Sequence, residues 1–469
     1  MIKIEDLKNK KITIMGLGLN QGGLGITLFL AKAGAQLVVT DLKTKEELMP
    51  SLEKLVQYCN IKYVLGRHLE ENFINIDMVI QNPAVPHNSR YLKIARKHKI
   101  PIKTDLEFFF QLCPSQNIIA VAGTKGKSTV SQLIYQIFKK AQKDTVLAGN
   151  IGISALDILE KINSQTWVIL EISTWQMEGI KGYKFKPLTA VLTNILPDHL
   201  DRYSSFKKYV QAEKLVFKYQ NSNDNLIVNF DNHETLQVKK EAKSKIYWFS
   251  CQENVEPGCY LEKDKVVFQC KNQKKSIFNI SNIFLPGSHN LENILAASVA
   301  GIIHKIPERI ISEVMQNFSG VPYRLEFIRE FMEIKFYNDT CATTPEATIA
   351  ALESFFKRSI ILILGGKDKK LKYDNLGEII GKNKNIKKII LLQNPAYDAS
   401  IKILSSLTKH VSLEKIIIVS CLLDGVKAAL QEALPNDIVL LSPAAASFGM
   451  FKNEFDRGDE FNKIVKNLS

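Results

Sequence analysis

The chain has 469 residues, 45% of them hydrophobic, and a formal net charge of +14. That is too long for one ordinary domain and points to two to four, with ample material for packed cores. No run approaches the roughly 18 apolar residues a membrane helix needs. "MIKIEDLKNKKITIMG" turns straight into a strand with no apolar leader, so a cytoplasmic protein without membrane insertion is expected. The seven cysteines are scattered and form no C-x-x-C pair, which argues for reduced thiols over a disulfide framework or a zinc site. Only nine of the 62 basic residues are arginine, the bidentate reader of bases and phosphates. The charge is therefore read as solvated lysine faces that attract small anions, and no nucleic-acid partner is expected.

In chain order, "KITIMGLGL" reads as a strand entering a Gly-rich turn, "GITLFLAKAGA" as a helix, "QLVVTD" and "DMVIQNP" as strands. A linker is placed near residue 102, in "KIPIKTDLEFFFQLCPSQ". "NIIAVAG" is a strand, "TVSQLIYQIFKKAQ" a helix, and "TWVILEIS" and "LTAVLTNIL" are buried strands. Residues 221–283 read as a small β-rich subregion. A second boundary falls near 320, in "NFSGVPYRLEFI". "SIILILGG", "IKKIILLQ", "KIIIVS" and "DIVLLSP" then alternate with helix patterns. Such alternation predicts an α/β protein of mostly parallel sheets flanked by helices, with ligands at the carboxyl ends of the strands.

The strongest motif is "AVAGTKGKSTVSQL". A strand runs into Gly123, Thr124, Lys125, Gly126, Lys127, Ser128 and Thr129, and a helix follows. Backbone N–H groups of Gly123 to Lys127 suit an anion, and the helix N-terminus adds its positive end. Lys127 would reach the β/γ-phosphates and Ser128 or Thr129 a Mg²⁺. Val121 stands where the usual phosphate loop has its first glycine. The earlier turn "GLGLNQGGLG" is weaker. Gly22 and Gly23 miss the regular dinucleotide spacing, and Asp41 ends the next strand, placed to grip a ribose or a base edge. NAD, another nucleotide or diphosphate, and simple packing all remain open there. Glu171 ends a buried strand in "LEISTWQMEG", where a carboxylate could hold Mg²⁺ beside the phosphates or cap the next turn. "TNILPDHLDRY" puts Asp198, His199, Asp201 and Arg202 in one strand-end turn, and "AAASFGMFKNEFDRGDEF" follows another strand end. Polar residues at the strand ends of three segments suggest one site built between domains.

Taken together, these stretches resemble the Mur ligase family, the amino-acid-adding enzymes of peptidoglycan synthesis. "GLGL", "GTKGKST", "GNIG", "LEISTWQ", "DHLDRY", "GSHNLENILAA", "YRLE", "NDTCATTPEAT", "LGGKDK" and "LSPAAASFGMFKNEFDRG" occur in the family's order. The last is most particular to the branch that adds D-glutamate. The resemblance implies three domains: a Rossmann-like UDP-substrate domain (1–102), a central ATPase domain with the phosphate loop (103–319) and a Rossmann-like amino-acid domain (320–469). It implies ATP-dependent addition of D-glutamate to UDP-N-acetylmuramoyl-L-alanine through an acyl phosphate, by a monomer acting on small molecules. Leu19, Asn20, Asp41 and Lys43 would lie around UDP, and Asn150, Ser173 and Gln176 at the muramoyl-peptide end. The loop residues, Asn290, Asn293, Arg324 and Asp339 would surround ATP. Thr343, Lys369, Ser447 and Phe448 would surround the amino acid. Two Mg²⁺ ions are implied, with Ser128, Glu171, His199 and a carbamylated Lys214 as ligands. Lys127, His199, Lys214 and Asp339 are the implied catalytic set. The chain departs from the family at Cys341, often lysine, at Lys125, more usually asparagine, at "IQNPAVP", more usually a Ser-Pro-Gly turn, and at Glu454-Phe455, whose order is inverted. A related ligase for another amino acid or a folate is the nearest alternative. A dehydrogenase leaves the phosphate loop unexplained, and a nucleic-acid motor should show nucleic-acid-stimulated ATPase activity.

Overall fold

The computed structural model describes residues 4–19, 21–86, 88–198, 203–283, 288–355, 358–368, 371–395 and 397–468. The predicted alternation produces three sheets. The first contains β1 (Lys11–Met15), β2 (Gln36–Asp41), β3 (Ile61–Leu65), β4 (Met78–Gln81) and β5 (Ile102–Lys103), in the order β3-β2-β1-β4-β5. All its pairings are parallel. Strand order reverses between β1 and β4, which opens a crevice at their carboxyl ends.

The second sheet begins with β6 (Ile118–Ala122), β7 (Thr145–Gly149), β8 (Trp167–Glu171) and β9 (Thr189–Leu192). It continues through β10 (Asn225–Asn229), β11 (Lys245–Ser250), β12 (Gly258–Glu262), β13 (Lys265–Cys270) and β14 (Gln273–Asn279). Its order is β14-β13-β12-β11-β10-β9-β6-β8-β7. β6 is buried along its whole length, as a central parallel strand covered on both faces should be. The predicted β-rich subregion holds β10 to β14 and extends the same sheet. β10, β11 and β12 pair parallel, and β13 and β14 add antiparallel.

The third sheet holds β15 (Glu326–Phe331), β16 (Ile334–Asn338), β17 (Ile360–Leu364), β18 (Ile386–Leu392), β19 (Ile416–Val419) and β20 (Ile438–Leu441), in the order β15-β16-β20-β17-β18-β19. Only the β15–β16 hairpin is antiparallel.

The chain forms two compact units, residues 1–281 with 291–315, and residues 282–290 with 316–469. The first unit contains the first two sheets. Just after the boundary placed near residue 102 the chain forms a helix. "DLEFFFQL" forms the helix Asp105–Leu112, capped by the Thr104 hydroxyl, and buries Leu106, Phe108 and Phe109. These side chains join one apolar cluster with Ile14 and Leu30 of the first sheet layer and Leu170 and Ile172 of the second.

Candidate active site

The phosphate loop lies between β6 and the helix Lys127–Lys140. β6 has β9 on one side and β8 on the other, so the loop opens at a reversal of strand order. Gly126 has φ +85°, and a Cβ there would sit 2.2 Å from Asn293 Oδ1. Only glycine meets both conditions. The loop amides divide in a way the sequence did not anticipate. Gly123 N–H donates to Glu213 Oε2 (3.0 Å), Thr124 N–H to the Asn194 carbonyl (2.9 Å) and Lys125 N–H to Asn194 Oδ1 (3.0 Å). The loop is braced from behind by these three, and the first amides of the helix, which have no intrahelical acceptor, are the ones presented to an anion. The Lys127 ammonium folds back on the carbonyls of Gly123 (2.8 Å) and Thr124 (2.9 Å). Burial lowers its pKa, opposed by the Glu213 and Glu171 carboxylates. Lys125, the departure from the family pattern, pairs with Asp198 at 3.0 Å. Asn293 is buried on the helix Ser288–Ile303, as is Asn290.

Glu171 ends β8 and is 1% exposed. Its Oε1 accepts from Asn150 Nδ2 at 2.9 Å, and its Oε2 has no hydrogen-bond partner. A buried carboxylate oxygen without a donor is what a hard cation would satisfy. Ser173 and Gln176 form a reciprocal cap on the helix Thr174–Gly179. His199 lies outside the described residues, as do Asp201 and Arg202. Lys214 directly follows the helix Phe206–Glu213, and its ammonium pairs with Glu241 at 2.7 Å. Among the described residues no group of three His, Cys, Asp or Glu side chains is placed to hold a metal ion.

In the first sheet one of the irregular glycines, Gly23, has a steric reason. A Cβ on Gly23 would lie 2.3 Å from the carbonyl oxygens of both Gly16 and Leu17, so the helix Gln21–Lys32 packs its backbone directly on the turn. Asp41 accepts from the amides of Gly18 (3.0 Å) and Lys43 (2.9 Å). These bonds organise the loop ends at the place where the sequence reading puts an acid gripping a ribose or a base edge. Leu19 is 42% exposed and Lys43 is exposed at the same strand ends. Asn20 lies outside the described residues.

In the C-terminal unit Asp339 is buried after β16. It accepts from the Ser442 hydroxyl (2.8 Å) and the Leu325 amide (3.2 Å). Burial pushes its carboxyl up to about 7, with Ser442, Leu325 and Arg324 pulling the other way. Ser447 is 1% exposed with an unpartnered hydroxyl, and Phe448 beside it is 42% exposed. Thr343 follows Cys341, whose carbonyl accepts its N–H at 2.9 Å. Lys369 lies outside the described residues. The inverted Glu454-Phe455 pair opens the helix Glu454–Lys466, where the Phe455 ring meets Tyr323 edge-on at 5.4 Å.

Sequence reading missed Arg457 and Glu213. Arg457, fully buried, donates to the Thr340 hydroxyl and carbonyl (both 2.9 Å) and to the Ala445 carbonyl. It thereby ties together two strand-end loops. Glu213 was legible in principle. Phe206, Tyr209, Val210 and Glu213 share one helical face, and that face is the inner one for Tyr209, Val210 and Glu213.

Fold and site define a class: an α/β protein of three sheets, with a phosphate loop and a buried acid at neighbouring strand ends of the central sheet. Three family descriptions match in order: Mur ligase MurD-like N-terminal domain over residues 10–104, Mur ligase middle domain over 121–301, and Mur ligase glutamate ligase domain over 323–445. Relatives named UDP-N-acetylmuramoylalanine–D-glutamate ligase match end to end. That of Roseiflexus sp. (strain RS-1) is 37% identical over 479 residues, 99% of this chain and 100% of the relative. That of Acetivibrio thermocellus is 37% identical over 465 residues, 98% and 97%. Among solved structures, the UDP-N-acetylmuramate–alanine ligase MurC of Thermotoga maritima superposes with a TM-score of 0.58 at 19% identity, covering 97% of this chain and 99% of that one. A pseudomurein peptide ligase type C from Methanothermus fervidus gives 0.52 at 17%, covering 98% and 100%. The chain belongs to the Mur ligase family.

Proposed function

We propose that this protein is the ATP-dependent ligase that joins D-glutamate to UDP-N-acetylmuramoyl-L-alanine in peptidoglycan precursor synthesis, acting as a cytoplasmic monomer. The observation that carries the reading is the phosphate loop with Lys127 at the carboxyl end of β6, in a chain matched along its whole length by relatives of that name. The three functional domains would divide near residues 102 and 320, close to the edges of the family matches.

A carboxylate is a poor acyl donor, because its oxygen leaves badly. Phosphorylation by ATP yields an acyl phosphate, and the amino group of the incoming amino acid then displaces phosphate. Both steps build negative charge, on phosphoryl and then on carbonyl oxygens. Lys127 would leave its own loop carbonyls and turn to the β/γ-phosphates, while the amides at the start of its helix cradle them; Gly123, Thr124, Lys125, Gly126, Ser128 and Thr129 are assigned to the ATP site as the loop that shapes it. Asn290, Asn293, Arg324 and Asp339 are assigned to the rest of ATP. Leu19, Asn20, Asp41 and Lys43 are assigned to UDP, and Asn150, Ser173 and Gln176 to the peptide end. Thr343, Lys369, Ser447 and Phe448 are assigned to D-glutamate. The unpartnered Oε2 of Glu171 fits Mg²⁺, with Ser128, His199 and a carbamylated Lys214 completing the ligands of two ions. Bound Mg²⁺ would neutralise phosphate and carboxylate charge that otherwise keeps the reactants apart. Lys214 would have to give up Glu241 and react as the neutral amine.

The test is phosphate release from ATP with UDP-N-acetylmuramoyl-L-alanine and single amino acids. D-Glutamate should be the preferred acceptor, and Lys127→Ala should lose about 100-fold or more, the scale of one preorganised charge-stabilising donor. Equal use of L-glutamate or L-lysine would overturn the substrate assignment, and undiminished turnover in Lys127→Ala the loop assignment.

A further inference from the structure

We propose that Glu213 is a positioning residue for nucleotide binding. Its buried carboxylate locks the phosphate loop to the strand end that carries Glu171 and to the helix end that carries Lys214. The inference rests on the reading of Gly123–Thr129 as the nucleotide-phosphate loop.

Glu213 is 0% exposed. Both oxygens are committed. Oε2 accepts the Gly123 amide at 3.0 Å, and Oε1 accepts the Thr174 hydroxyl at 2.7 Å and the Tyr209 hydroxyl at 2.8 Å. Tyr209 also lies 2.9 Å from Thr124 Oγ1, and the Thr124 hydroxyl is in turn within hydrogen-bond distance of the Leu196 amide at 2.9 Å. One carboxylate thus fixes three chain segments. The first is the start of the phosphate loop. The second is the first turn of the helix Thr174–Gly179, three residues beyond Glu171. The third is the end of the helix Phe206–Glu213, whose next residue is Lys214.

A fully buried carboxylate is a costly way to fill a core, and apolar side chains of similar volume do so at less expense. Its three donors come from the three segments that bear the assigned phosphate and metal residues, so the charge organises that group of residues more than it stabilises the core. The Gly123 N–H is taken up from behind and cannot swing toward the phosphates. That leaves the loop in one conformation, with the helix-end amides facing forward. Preorganised donors of this kind bind an anion without paying to order the loop at that moment.

Glu213→Gln keeps the shape and removes the charge. Its single carbonyl oxygen can accept from Gly123 or from the two hydroxyls, and its amide must turn toward the remainder. Thr174→Val and Tyr209→Phe each delete one donor and leave the carboxylate in place. The measurement is calorimetric affinity for a non-hydrolysable ATP analogue with Mg²⁺, with the affinity for UDP taken on the same preparations. Nucleotide affinity should fall about 10-fold or more in Glu213→Gln and about 3-fold in each hydroxyl variant, the span of net contributions of single hydrogen bonds. Affinity for UDP should stay within about 2-fold, since the described residues assigned to UDP all lie at the first sheet. A merely structural role would lower the folded fraction and leave both affinities of the folded molecules unchanged. Unchanged nucleotide affinity in folded Glu213→Gln overturns the proposal. If that variant does not fold, unchanged affinity in both Thr174→Val and Tyr209→Phe overturns it. Wild-type protein that binds the nucleotide but ligates no D-glutamate would overturn the functional reading and leave the Glu213 result decisive for the loop.

Discussion

Asp105→Asn should stabilise the N-terminal unit, and only above the pH at which the buried carboxyl ionises. Asp105 opens the helix Asp105–Leu112 and is 8% exposed, with Oδ1 unpartnered. Oδ2 lies 3.7 Å from the point a Cβ on Gly22 would occupy. Burial raises its pKa from 3.8 to about 6, against the pull of the Leu106 amide and its own. A shift of roughly two units at about 1.4 kcal/mol each makes the charged carboxylate cost about 3 kcal/mol of folding free energy above that pH. Asparagine escapes that cost but loses the ionic hydrogen bonds at the helix start and brings an amide that needs partners. Together these losses are about 1–2 kcal/mol, so the net gain near pH 8 should be about 1–2 kcal/mol.

The sign follows from proton binding. The folded state holds this proton more tightly than the unfolded chain, so wild-type stability falls as pH rises from about 4 through about 6 and is level beyond. Between pH 5 and pH 8 Asp105 accounts for about 1 kcal/mol of that fall, and the variant should lack it. Trp167, Trp175 and Trp248 are the chain's three tryptophans and all lie in the same compact unit as Asp105. Urea unfolding followed by their fluorescence at the two pH values therefore reads the relevant transition. Identical pH dependence in wild type and variant, or a variant less stable at pH 8, would refute the reasoning.

Three further outcomes are expected. Lys214→Ala should be nearly inactive and partly restored by added short carboxylates, measured as phosphate release, because these can fill the place of a carbamate. Full activity of that variant in CO₂-depleted buffer would sink the idea. Gly126→Ala forces a side chain into a φ of +85° and to 2.2 Å from Asn293 Oδ1. ATP-analogue affinity by calorimetry should drop about 10-fold or more, since strain of this kind is worth about 1–3 kcal/mol. Arg457→Met strips the Thr340 and Ala445 carbonyls of their buried donor. It should destabilise the C-terminal unit by about 3 kcal/mol or more, seen as a lower midpoint for the transition that tryptophan fluorescence does not report.

Short-range order was legible in the sequence. "NIIAVAG" and "SIILILGG" could only be buried strands, and they became β6 and β17, buried throughout. The Gly/Lys/Ser/Thr run had to be a turn opening a helix, because its glycines and small hydroxyls leave the backbone amides accessible to an anion. The order of ten motifs named the family. What the tertiary structure decided is who partners whom. Asp41 and Glu213 are both carboxylates near strand or helix ends, yet one organises a surface turn and the other is sealed beneath the phosphate loop. The helical face of Glu213 could suggest burial, but not that its partner is the Gly123 amide 90 residues away, nor that Asp41 meets the Gly18 amide 23 residues away. That the phenylalanines of "DLEFFFQL" join an apolar cluster shared by two sheets was likewise decided by the tertiary structure. The need for glycine at Gly23 comes from the helix backbone lying on the turn. Local chemistry fixes which conformations a segment can adopt; burial, and the hydrogen bonds that burial makes obligatory, decide which groups must find each other across the chain.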